Sequence, residues 1–169
     1  FLQALEGHGP AIASLVAVGG VNSAGHEVYW RGHPITVLGV NRVDIDDLDV
    51  AILAVPAFAA QPLIATLIDS GIFVVDLSAS GGERALPLVW PGLALDGLET
   101  QPGGIALPCG IAGALAPLTT ALAAVGALVD LDVAALMSAQ AAGRNGQEAR
   151  SRQTVALLNQ RPPTAAVFE

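Results

Sequence analysis

The chain has 169 residues, 53% of them hydrophobic and 13% charged, with seven basic residues (all Arg) against fifteen acidic ones and a formal net charge of −8. An average soluble domain is about 25% charged, so intrinsic disorder, which needs high charge and low hydrophobicity, is excluded. Nucleic acid and anionic membrane are excluded as partners for want of clustered Lys and Arg. A single cysteine rules out an internal disulfide framework and points to a reducing compartment, the cytoplasm.

Residues 1–7 read as the last turns of a helix stopped by Gly7-His8-Gly9-Pro10, as though the chain began in mid-fold. Ile12 to Val18 is a short apolar run expected to form a buried strand ending at Gly19-Gly20. Asn22-Ser23-Ala24-Gly25-His26 reads as a loop, and residues 27–30 and 35–38 flank Arg31-Gly32-His33-Pro34 as a hairpin. Val50 to Val55 is a continuous apolar run of the kind found in parallel strands buried on both faces. A helix over 59–70, closed by Gly71, and a strand over 72–76 complete a βαβ unit, and hence an open parallel sheet.

Beyond a Gly- and Pro-rich loop over 80–104, Ile105-Ala106-Leu107 forms a short strand, and a helix of small residues runs to about Val125. The uncharged stretch from Thr100 to Val129 is long enough for a membrane span, but Pro108 and Pro117 interrupt it and no Lys/Arg asymmetry flanks it. Leu128 to Leu136 alternates apolar residues with Asp130 and Asp132, predicting a strand with one wetter face, and Gly146 to Gln160 predicts a polar amphipathic helix.

Cys109 follows a strand and a proline at the start of a helix, where a thiolate would be favoured; a small buried hydrophobe is an equal reading of the same residue. The acidic stretch Asp44 to Asp49 lacks the glycine and distal Glu of a calcium loop, and reads as a solvated connection. His8, His26 and His33 have no ligand spacing and belong in surface turns, so no metal site is expected. There is no Gly-x-Ser-x-Gly elbow, no Gly-x-Gly-x-x-Gly turn and no Walker loop.

One segment carries a family resemblance. Ser138-Ala139-Gln140-Ala141-Ala142-Gly143-Arg144-Asn145-Gly146, followed by Arg152-Gln153-Thr154-Val155-Ala156-Leu157-Leu158-Asn159, resembles the aspartate-semialdehyde dehydrogenase family and most of all its Usg-type paralogues. Other segments agree in order. Asn22 to His26 resembles the family's Ser-Ala-Gly-Lys loop at the NADP ribose phosphate, and Val74 to Ala79 resembles its Val-Ile-Asp-x-Ser strand end near the cofactor. Leu86 to Pro91 is similar to its Pro-Leu-Val-x-Pro stretch, and Leu107-Pro108-Cys109 falls where it has Asn-Pro-Asn-Cys.

The resemblance implies a Rossmann-like parallel sheet lacking its first strand over 1–127, and the beginning of a mixed α/β dimerisation and catalytic domain over 128–169. The Gly-rich phosphate loop would then precede Phe1, and the catalytic His and substrate-binding Arg would follow Glu169. It implies an NADP-dependent oxidoreductase of amino-acid biosynthesis that interconverts acyl phosphate and aldehyde through a cysteine thioester, acts on a small-molecule substrate and forms a homodimer. Cys109 would be the nucleophile and Gln140 would orient the substrate. Asn22, Ser23, Ala24, Gly25 and Ser78 would bind the cofactor, and Arg84 would stand in, displaced, for the family's phosphate-binding Arg. The chain departs from the pattern at His26, where the family has Lys, and at Leu107 and Gly110, where it has Asn. A catalytically inactive paralogue that keeps the dimeric scaffold is therefore the second reading.

Overall fold

The computed structural model describes residues 2–8, 11–78, 80, 86–90, 103–108 and 110–163. The chain opens with helix α1 (Leu2–His8) and strand β1 (Val18–Gly19), followed by β2 (Glu27–Trp30), β3 (His33–Thr36) and β4 (Leu38–Gly39). Then come β5 (Val50–Leu53), α2 (Ala57–Asp69), β6 (Phe73–Asp76), β7 (Gly104–Ala106), α3 (Gly110–Val125) and α4 (Gly143–Leu158). The architecture is mixed α/β with parallel sheets, as the sequence pattern requires.

Among the described residues the strands form three sheets. β5, β6 and β7 lie side by side in parallel, β1 pairs with β4 in parallel, and β2 pairs with β3 in an antiparallel hairpin. The β5–α2–β6 unit is the expected βαβ crossover, with Val50 to Leu53 opposite Phe73 to Asp76. Its register runs on past the strand ends, where the Leu77 amide donates to the Leu53 carbonyl at 3.0 Å. A further bridge joins Leu88 to Ala106, with the Val89 amide donating to the Ala106 carbonyl at 2.8 Å.

The core sits between this sheet and α2. Leu53, Ala60, Ile64, Leu67, Ile72 and Val74 are buried together, and Ile45, Leu48, Leu63, Ile68 and Leu86 pack around them. Ala60, Ile64 and Leu67 fall at the four- and three-residue spacing that makes one helix face. The acidic connection serves this packing: Asp44, Asp46, Asp47 and Asp49 point to solvent, while Ile45 and Leu48 turn inward. Gly104 permits the close approach of β7, because a methyl group there would overlap the carbonyl oxygen of Val74.

Four expectations are corrected. The run from Ile12 to Val18 is a strand only at its last residue, and Val16 and Val18 stay exposed, because β4 offers it just two residues of pairing. The segment 50–55 is shorter and one-sided: α2 covers Leu53, while Val50 and Ile52 on the opposite face are exposed. The hairpin turn is two residues rather than four. Arg31 and Gly32 both take positive φ, 49° and 77°, the combination whose twist matches flanking strands. Residues 128–136 form no strand. They are exposed, and among the described residues no strand pairs with them, so the alternation of apolar and acidic residues has no ladder to join.

The polar helix begins three residues before the expected Gly146, preceded by a 3-10 turn over Ala139–Ala142 that packs on it. The uncharged stretch resolves into β7 and α3, and α3 has 16 residues. Among the described residues no helix is long and apolar enough to cross a membrane.

Candidate functional site

Parallel sheets present ligands to the crevice outside the carboxyl ends of their strands. Two of the polar loops singled out by sequence stand at such ends. The first follows β1. The amides of Ser23 and Ala24 both donate to the Gly20 carbonyl, at 2.9 and 3.0 Å, which coils residues 20–24 into consecutive turns. The Gly25 amide then donates to the Val37 carbonyl at 2.9 Å, and the Val37 amide donates to the His26 carbonyl at 2.8 Å. Gly25 has φ +87°, the left-handed region in which a side chain is strained. Gly19 is equally constrained by space: a methyl group there would lie 2.9 Å from both Ser23 Cβ and Val37 Cγ1. The result is a tight loop with Asn22, Ser23, Ala24, Gly25 and His26 all exposed.

The second loop follows β6, the middle strand of its sheet. Asp76 is only 3% exposed, and its carboxylate is enclosed by the two serines that follow it. The Ser78 amide and hydroxyl both donate to Oδ1, at 2.8 and 2.5 Å. The Ser80 hydroxyl donates to Oδ2 at 2.8 Å and its amide at 3.4 Å. Burial alone would push the Asp76 carboxyl up, but the hydrogen bonds from Ser78 and Ser80 prevail and hold it below its ordinary value. The loop is also tied to α2, where Gln61 Nε2 donates to the Ser80 carbonyl at 3.1 Å.

The two loops belong to different sheets and are held by different partners: the first by Val37 beside β4, the second by Asp76 and Gln61. Asn22, Ser23, Ala24 and Gly25 are thus brought together, and Ser78 sits in a separate centre. Asp76, Gln61 and Ser80 were missing from the expected site. The spacing Asp-x-Ser-x-Ser is the signal for the first and third, since an Asp side chain readily accepts from the backbone two residues on. Nothing in the sequence marks Gln61, which reaches the loop only through the fold.

Cys109 and Arg84 lie outside the described residues, as does the side chain of Gln140, whose backbone falls in the 3-10 turn before α4. The neighbours of Cys109 are informative. Pro108 ends the segment leaving β7, and Gly110 begins α3. A methyl group on Gly113 would come within 2.8 Å of the Pro108 carbonyl oxygen and 3.5 Å of the Trp90 ring. A glycine one turn into α3 is therefore what lets the helix seat against that segment. Among the described residues no group of His, Cys, Asp and Glu could hold a metal ion.

The first loop presents the exposed side chains of Asn22, Ser23 and His26 on backbone held tight by glycine, and the second leaves Ser78 partly exposed.

No family model matches the chain. In sequence it is 27% identical over 149 residues to a USG-1 protein homolog from Pseudomonas aeruginosa, covering 87% of this chain and 44% of that protein. In structure it superimposes on aspartate semialdehyde dehydrogenase II from Vibrio cholerae with a TM-score of 0.81 at 22% identity. A complex of that enzyme with ASA gives 0.73 at 20%. A probable aspartate-semialdehyde dehydrogenase from Pseudomonas aeruginosa gives 0.76 at 24%. Each of these structural matches covers 99% of this chain and 51% of the other. The chain therefore spans about half the length of the proteins it resembles.

Proposed function

We infer that this chain, similar in sequence to a USG-1 protein homolog and in fold to aspartate-semialdehyde dehydrogenases, contributes the dinucleotide-binding part of an NADP-dependent oxidoreductase. The reaction is interconversion of an acyl phosphate and an aldehyde in amino-acid biosynthesis, in the cytoplasm. The observation that carries this reading is the Asp76–Ser78–Ser80 clamp at the carboxyl end of the middle parallel strand. A buried, fully hydrogen-bonded carboxylate rigidifies the segment that encloses it, so this loop keeps one shape at the sheet's carboxyl end.

In this reading residues 1–127 form the dinucleotide-binding unit and 128–169 begin the dimerisation and catalytic unit. The buried cluster around Val74 and Ile64, packed from residues within 45–86, lies inside the first and supports it. The exposed apolar residues Leu118, Leu122, Val125 and Leu128 supply surface for the second and for a homodimer. NADP, when bound, supplies the hydride acceptor. The chain's own part is as follows. The loop over Asn22 to Gly25 and the Ser78 hydroxyl hold the sugar and amide edges. Cys109 provides the thiolate that adds to the aldehyde carbon and, once that carbon is oxidised, carries the acyl group as a thioester until phosphate displaces it. Gln140 orients the acyl group, and Arg84 binds the phosphate.

A second reading, an inactive paralogue that keeps the scaffold, is favoured by His26, Leu107 and Gly110 at positions where the family carries Lys and Asn. Assay of the intact protein for phosphate-dependent reduction of NADP with aspartate semialdehyde separates the two. Turnover abolished by Cys109→Ser establishes the enzyme; no turnover, with dinucleotide still bound, establishes the scaffold.

A further inference from the structure

We propose that Asp76 is a positioning residue that makes Ser78 a hydrogen-bond acceptor toward the bound ligand, so that Ser78 receives a donor group of the dinucleotide, a carboxamide N–H or a sugar hydroxyl, and not a phosphate. The inference rests on the dinucleotide reading above and adds which chemical edge this loop takes.

A serine hydroxyl has one proton and two lone pairs, and an ionised carboxylate only accepts. Ser78 Oγ lies 2.5 Å from Asp76 Oδ1 and Ser80 Oγ lies 2.8 Å from Oδ2, so both hydroxyl protons are committed inward. The hydrogen bonds from Ser78 and Ser80 hold the Asp76 carboxyl below its ordinary value and so keep it in its ionised, acceptor form at neutral pH. The amides of Ser78 and Ser80, which could otherwise have bound an anion, are committed as well, since both also point at Asp76. What Ser78 has left to offer is lone pairs. Ser80 is buried, while Ser78 is partly exposed, so of the two serines Ser78 is the one that can meet a ligand. A phosphate oxygen approaching it would find an acceptor facing an acceptor, with a buried negative charge behind. An N–H or O–H would be received.

The test is calorimetric titration of the intact protein, wild type and variants, with NADP and two analogues. One replaces the carboxamide NH2 by methyl (the acetylpyridine analogue), and the other lacks a hydroxyl of the nicotinamide ribose. Inorganic phosphate is titrated in parallel. One hydrogen bond corresponds to about a three- to tenfold preference. The wild type is expected to favour NADP by that factor over one of the two analogues, and which one identifies the donor. Ser78→Ala should bring the ratio to about one with unchanged phosphate affinity. Asp76→Ala should also shrink it, because without the carboxylate the Ser78 proton is free to turn outward. An undiminished ratio in Ser78→Ala, or a loss of phosphate affinity instead, overturns the proposal alone. Absence of NADP binding by the wild type overturns the dinucleotide reading together with it.

Discussion

The β5–α2–β6–β7 unit and the stretch from Ala127 to Ser138 are both strongly apolar, yet one forms the core and the other lies exposed along its length. Val74 is fully buried, while Val129 is 93% exposed. Composition does not separate these two regions; hydrogen-bonding opportunity does. Burying an apolar side chain also buries its backbone, and that is tolerable only where the amides and carbonyls are paired. β6 has a strand on each side, β5 and β7, and the 127–138 stretch has none among the described residues. A hydrophobic segment thus becomes core only when a ladder or a helix pairs its backbone.

The contrast can be broken at several points, and the largest effect is expected at Gly104. In Gly104→Ala the new methyl group would overlap the Val74 carbonyl, so β7 must leave β6. A loss of about 4 kcal/mol is expected, among the largest that single substitutions give, read in urea denaturation of the intact protein. Next is a paired test. Ile64→Ala empties a site only 4% exposed and should cost about 3 kcal/mol. Leu136→Ala, at a side chain with no cover, should change stability by less than about 0.5 kcal/mol. Equal effects would show that the 127–138 stretch is packed in solution.

Asp76 comes third. Its carboxyl is held below its ordinary value in the fold, so its contribution is fully present above the unfolded carboxyl pKa of about 3.9. That contribution disappears as pH falls through the lowered value. Denaturation of the wild type should show this acid-side loss, and Asp76→Asn should flatten it while costing about 2 kcal/mol at neutral pH, the penalty for disturbing a buried hydrogen-bonded carboxylate. The smallest effect belongs to the hairpin. Gly32→Ala, at φ +77°, should cost about 1 kcal/mol, seen as faster amide exchange at Val28 and Ile35, which face each other in the hairpin.

How much of this was legible in the sequence follows the same rule. Val50 to Leu53, α2 and β6 could be read because they are local: a βαβ unit writes its pairing into one continuous stretch. The family resemblance was legible too, from Arg-Gln-Thr and the serine-rich loops, and the similarity to a USG-1 homolog and the fold match agree with it. The run from Ile12 to Val18 and the alternation at 128–136 were misleading because a strand pattern does not say whether a neighbour exists. The loop over Asn22 to Gly25 could be located from its turn residues. The clamp could be located only in part: Ser78 by resemblance, but Asp76 as an anchor and Gln61 as its tie to α2 depend on side-chain geometry that spacing does not encode.

β7 reaches β6 across all of residues 77–103, whereas β5 reaches it across α2 alone. Closing a loop costs conformational entropy that rises with its length, and this cost precedes any reward from pairing. The β5–α2–β6 unit should therefore assemble first, with β7 docking after the main barrier. On that order, weakening the β7 pairing leaves the rate of folding almost unchanged and speeds unfolding, while truncating Ile64 slows folding. The strand that completes the parallel sheet is then also its kinetic latch, setting how long the folded state lasts more than how quickly it forms.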